Sequence, residues 1–155
     1  ISLILTSMAL FWTLGSLFFG YANGKYNIGK KLVIISSLIL IIFLLLLAFV
    51  SINNFFFIII IFSIYGFFGA FTLVVLDHYR RLFGNEIIGK VLTSANLFNF
   101  GGVFFIQWIT GFIIDYVTEN NEFAVNQGFT LSFVIVAIFL ALSILFYVSA
   151  DDGNA

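Results

Sequence analysis

Five apolar runs, each about 20 residues long and separated by short polar segments, dominate the sequence. Lipid offers a peptide group no hydrogen-bond partner, so such runs cross a membrane only as helices or as strands of a closed barrel. Strict alternation of apolar and polar residues is absent, and at about 1.5 Å per residue each run spans a hydrocarbon core of about 30 Å as a helix. The runs extend from about Ser2 to Tyr21, Leu32 to Val50, Phe55 to Leu76, Val91 to Ile114 and Phe129 to Ser149. Composition points the same way: 63% of residues are hydrophobic and 8% charged, against about half and a quarter in a soluble domain. The expected fold is an all-α integral membrane protein with five transmembrane helices.

Charge is segregated along the chain. All six basic residues, Lys25, Lys30, Lys31, Arg80, Arg81 and Lys90, fall in two short segments, around 22–31 and 77–90. Ser51 to Asn54 is neutral, and Asp115 to Gly128 is acidic, with Glu119 and Glu122. Lys and Arg in short loops stay on the cytoplasmic side, which predicts an outward Ile1 and a cytoplasmic Ala155. The chain opens at Ile1 inside an apolar run without an initiator methionine, so a piece of a longer protein is expected. The absence of cysteine and the single histidine argue against a protein-held metal cluster, and no cofactor is expected.

The spans differ in their faces. The second is apolar nearly all round apart from Ser36 and Ser37, and the fifth resembles it, with Ser132 and Ser143; both are expected at the periphery. The first carries Ser2, Thr6, Thr13, Ser16 and Gly20 along one side, and the third Tyr65, Gly69 and Thr72; these two and the fourth are expected inside. In the fourth, Asn96, Asn99, Gln107 and Thr110 follow one another at offsets of three, eight and three, a polar stripe at helical spacing. Amides at mid-membrane depth are costly against lipid, so Asn99 and Gln107 face either a solute cavity or a partner helix. Tyr65 and Thr72 are further cavity candidates. Gly101, Gly102 and Gly111 are expected to permit close helix packing. Asp77, His78, Arg80 and Arg81, with Lys90, form a charged cluster at the inner end of the third span, read as locally paired charges at headgroup level in preference to a proton relay.

Two stretches resemble a known family. Gly20-Tyr-Ala-Asn-Gly-Lys25-Tyr-Asn-Ile-Gly29-Lys30-Lys31 resembles the short cytoplasmic loop motif of the major facilitator superfamily, with Gly24 where an acidic residue is usual. Leu82 to Asp115 is similar to the tenth-to-eleventh loop and eleventh helix of a bacterial subgroup of these transporters. The residues that carry this are Glu86, Gly89-Lys90, Thr93, Asn96, Phe100-Gly101, Phe104, Gln107-Trp108, Gly111 and Asp115, with Gly84-Asn85 in place of the usual proline.

The resemblance implies helices eight to twelve of a transporter whose N-terminal half is missing. It implies a bacterial inner-membrane location and transport of a small-molecule substrate by alternating access. Gly20, Lys25, Gly29, Lys30 and Lys31 would then form a gating loop. Expected partners are the lipid bilayer, the missing half and the substrate, with no nucleic acid. The competing class is a self-contained five-helix membrane protein, such as a respiratory-complex subunit or a membrane enzyme. Catalysis is disfavoured, because no histidine and carboxylate set shares one membrane depth.

Overall fold

The computed structural model describes residues 2–50, 54–83, 86–120 and 125–150; the expectations that involve Gly84, Asn85, Glu122 and the terminal Ala155 fall outside them. The described residues form helices α1 (Ser2–Tyr26), α2 (Gly29–Phe49), α3 (Phe55–Gly69), α4 (Thr72–Leu82), α5 (Ile88–Asn120) and α6 (Val125–Val148). With α3 and α4 taken as one interrupted span, five helical spans are long and apolar enough to cross a membrane. The fold is therefore all-α and of the multi-pass membrane type.

Local chemistry sets the element ends. Asn54 caps α3, its side chain accepting from the amides of Phe56 at 2.9 Å and Phe57 at 3.4 Å. The first turn of chain reversal lies later than the sequence suggests. Gly20 and Gly24 are both helical, and α1 continues to Tyr26, where Asn27 takes the left-handed conformation at φ 52°. Asparagine tolerates that conformation well, and the Asn27 amide donates to the Asn23 carbonyl at 2.9 Å to close the helix. Lys25 thus belongs to α1; its ammonium donates to the Tyr21 hydroxyl at 3.1 Å and lies over the Tyr21 and Tyr26 rings.

Helix α1 packs along α3, and the crossing is set by two glycines. A Cβ on Gly15 would lie 2.3 Å from the Phe67 carbonyl oxygen, and one on Gly66 would lie 2.4 Å from the Met8 carbonyl oxygen. Close approach through small residues is how membrane helices gain contact where lipid supplies no hydrophobic drive. Around the crossing, Phe18, Phe19, Phe67 and Phe68 meet at ring-centroid separations of 5.3 to 6.4 Å. The core of buried Phe19, Val33, Ala70 and Val74 lies where α1, α2 and α4 converge.

The third span is interrupted at 69–71. Ala70 and Phe71 donate to the carbonyls three residues back, Phe67 and Phe68, a tight turn that replaces the α-helical ladder. Ala70 is wholly buried.

The order of helices departs from the expected periphery and interior. Helix α2 is central, packing on α6, α3 and α4, and it buries Val33, Ser36, Ser37, Leu40, Leu44 and Ala48. Ser36 and Ser37, the two exceptions to its apolar surface, are among its most buried residues, because small side chains admit a close neighbour. Helix α5, expected inside, touches only α6 and α4 among its closer neighbours and buries no described residue. Its Gly101, Gly102 and Gly111 do not serve as packing glycines within this chain, since a Cβ on any of them would meet nothing within 4 Å. Among the described residues nothing packs closely against these glycines, whereas a Cβ on Gly128 of α6 would lie 3.1 Å from the Ile114 Cα.

Substituting Gly15 by Val should destabilise the chain in detergent by about 3 kcal/mol, since the clash is with backbone, whereas Gly101→Ala should stay within about 0.5 kcal/mol; unfolding midpoints check the contrast. The lack of cysteine permits a topology test. Single cysteines at Tyr26 and Glu86 should react with an impermeant maleimide from one side of the membrane, and those at Asn54 and Glu119 from the other.

Candidate functional site

The broken third span, α5, α2 and α6 border an open cleft of about 660 Å³. Leu40 and Leu44 of α2 and Val136, Phe139, Leu140 and Ser143 of α6 form its apolar back. Tyr65, Gly69, Phe71 and Thr72 enter from the break between α3 and α4, and Asn99, Gly102 and Gln107 from α5. Counting about 1.5 Å per residue, Thr72 and Asn99 both stand about 15 Å in from the ends of α4 and α5 nearest each other, so the break and the first amide share one depth.

Of the residues singled out in the sequence, Asn99, Gln107, Tyr65 and Thr72 therefore come together at one cleft. Neither Asn99 nor Gln107 hydrogen-bonds another described residue through its side chain, so among the described residues these amides are not interhelical glue. The Thr72 hydroxyl lies 3.4 Å from the Gly69 carbonyl, and that of Ser143 donates to Phe139 at 2.9 Å, which leaves hydroxyl oxygens as acceptors toward the cleft. Asn96 and Thr110, at the ends of the predicted stripe, do not line it. Asn96 is exposed, and Thr110 donates to the Ile106 carbonyl of its own helix at 2.8 Å. No charged side chain is among the described residues of the cleft wall.

A second constellation ties the helix ends on the basic side. Asn23 donates through Nδ2 to Asp77 Oδ2 at 2.8 Å, and Arg81 Nε and Nη2 each reach the same oxygen at 3.0 Å. Arg81 also donates through Nη1 to Asn27 Oδ1, so α4 is stitched to the end of α1 and to the turn that follows it. The Asp77–Arg81 pair is about a third exposed, so its Coulomb contribution is modest and its value lies in geometry. His78 is buried, and its Nδ1 hydrogen-bonds the Tyr147 hydroxyl at 2.8 Å, tying α4 to α6. Lys30 donates to the Ala150 carbonyl at 2.7 Å. The expected cluster thus exists as local pairs on a helix, with Arg80 and Lys90 exposed beside it.

Asn23 and Tyr147 are the partners that sequence inspection passed over. Asn23 continues the buried face of Gly15, Phe19 and Ala22 at steps of four, three and one, a helical signal that extends beyond the apolar run. Tyr147 carries no such signal, because only the packing of α6 against α4 brings it to His78. Among the described residues no group of His, Asp and Glu could hold a metal.

Compared with known proteins, the chain matches no family model, no curated protein and no solved structure.

The bond between His78 and Tyr147 gives a direct stability test. Tyr147→Phe should lower the unfolding free energy by about 1 kcal/mol, and the effect should vanish in a His78→Phe background if the hydroxyl acts through that histidine.

Proposed function

We propose that the chain is the C-terminal part, helices eight to twelve, of a major facilitator superfamily transporter that moves a small solute across a bacterial inner membrane by alternating access. The observation that carries this reading is the cleft. It sets two amides without partners among the described residues, Asn99 and Gln107, opposite an interrupted helix. Transporter sites form near mid-depth at such interruptions, where backbone and amide groups face a solute in place of lipid.

Several features support the reading. Helix α5 is exposed over most of its length, Asn96 and Gly101 included, a surface suited to the N-terminal half across a shared passage. The stitched ends of α1, α2 and α4 carry the cations of the loop that resembles the family motif, and they would hold those ends together while the halves rock. Placing the basic side in the cytoplasm puts the end of α6 there as well. In this scheme Asn99 and Gln107 bind and orient the solute, Tyr65 and Thr72 face them from the third span, and no bond is made or broken.

In the full-length protein, Asn99→Leu and Gln107→Leu should each reduce uptake or export by about tenfold, the loss of one hydrogen-bonding group to the solute, while expression and membrane insertion stay at wild-type levels. Transport assays in vesicles check this. Unchanged transport in both variants would remove the amides from the passage.

A further inference from the structure

The polar groups of the cleft fall on two rungs. Helix α5 rises about 12 Å between Asn99 and Gln107, and the third span, running the opposite way, covers about 10 Å between Thr72 and Tyr65. Thr72 and Asn99 share one depth, so Tyr65 and Gln107 share a second, about one ring-and-a-half's length away. Ser143 belongs with the first rung. It stands about 6 Å along α6 from Tyr147, which His78 fixes against α4, and Thr72 stands about 9 Å along α4 from His78.

Both rungs are neutral. Tyr65, like the two amides, makes no hydrogen bond to another described residue, and each of the three can donate as well as accept. Apolar side chains, Leu44 and Phe139 among them, line the remainder of the wall. Two glycines keep it wide: a Cβ on Gly102 would meet nothing within 4 Å, and one on Gly69 would come no nearer than 3.9 Å to Trp12. The volume of about 660 Å³ lies in the range that takes a drug-sized molecule.

These walls discriminate among occupants. A charged solute would lose hydration against a surface on which no described residue supplies a counter-charge, a large cost. A polyhydroxylated one would press most of its hydroxyls on apolar wall, and an acyl chain would leave Tyr65, Asn99 and Gln107 without partners. We propose that the solute of this cleft is uncharged and elongate, apolar or aromatic in its middle, with a hydroxyl or amide at each end to engage the two rungs. This rests on the transport reading above and narrows its small solute to one chemical class.

The test is equilibrium binding of tritium-labelled para,para′-dihydroxystilbene to the full-length protein in nanodiscs, with empty nanodiscs subtracted. In competition, para-hydroxystilbene should bind about fivefold more weakly than the diol, the loss of one hydrogen-bonded end, and stilbene more weakly again. The para,para′-dicarboxylate, of similar length but charged at both ends, should bind about a hundredfold more weakly. Gly102→Leu should weaken the diol about tenfold by filling the band between the rungs, with an unchanged unfolding midpoint. Gln107→Leu should remove the advantage of the diol over para-hydroxystilbene. Stilbene binding as well as the diol, the dicarboxylate binding as well as the diol, or no diol bound above empty nanodiscs would each overturn the proposed class. Flux in vesicles separates the two readings. Diol binding without flux of any solute would remove transport and leave the class of ligand standing, whereas flux of a charged solute without diol binding would do the reverse.

Discussion

The crossing of α1 and α3 is the contact on which the other arrangements rest. At Gly15 and Gly66 the two backbones come so near that no side chain fits between them, and each glycine faces a carbonyl of the other helix. In lipid there is little hydrophobic gain in pressing two apolar helices together, so closeness itself, summed over many weak contacts, has to supply the attraction. Ala70 is buried beside Gly15, and immediately after it the third span turns and restarts as α4. The crossing thereby fixes where the interruption falls. It also fixes which residues, Gly69, Phe71 and Thr72, reach the cleft.

How much of this could be read from sequence follows from what periodicity encodes. Five long apolar runs specify five spans, because the backbone of each must satisfy itself. Asn99 and Gln107, set on one polar stripe by their spacing, line the same open cleft in the structure. The ends of the same stripe, Asn96 and Thr110, were equally periodic, yet they lie beyond the neighbouring walls. Period identifies a face, while only packing decides how much of it has something opposite.

Glycines show the same limit more sharply. Gly101 and Gly102 sit in the most glycine-rich part of α5, but among the described residues nothing packs closely against them, whereas Gly15 and Gly66 sit among phenylalanines and meet backbone. Which glycine is needed depends on where two helices cross, a property of pairs of segments. The turn after α1 failed to be legible for a different reason. Gly20 and Gly24 each cost about 1 kcal/mol in a helix relative to alanine, a local preference that continued hydrogen bonding and packing of Phe19, Ala22 and Asn23 outweigh. The chain then reverses at Asn27, whose side chain is also engaged by Arg81.

Helix α4 joins the cleft and the stitched helix ends mechanically. It is 11 residues long, with Thr72 at the cleft and Asp77, His78 and Arg81 toward the basic end, and a helix of that length moves as one body. The contacts that anchor its far end are polar and few: Asn23 to Asp77, Arg81 to Asn27, and His78 to Tyr147. Each such bond contributes about 1 kcal/mol net, so together they are comparable to the several kcal/mol that a conformational equilibrium can shift. The α1–α3 crossing cannot loosen by degrees in the same way, because backbones in contact separate only with loss of the whole interface. The interruption at 69–71 lies between these two regimes. Val74, in the first turn of α4, is buried in the core with Phe19, Val33 and Ala70, so any displacement at Thr72 works against that packing as well as against the polar stitches at the other end of the helix.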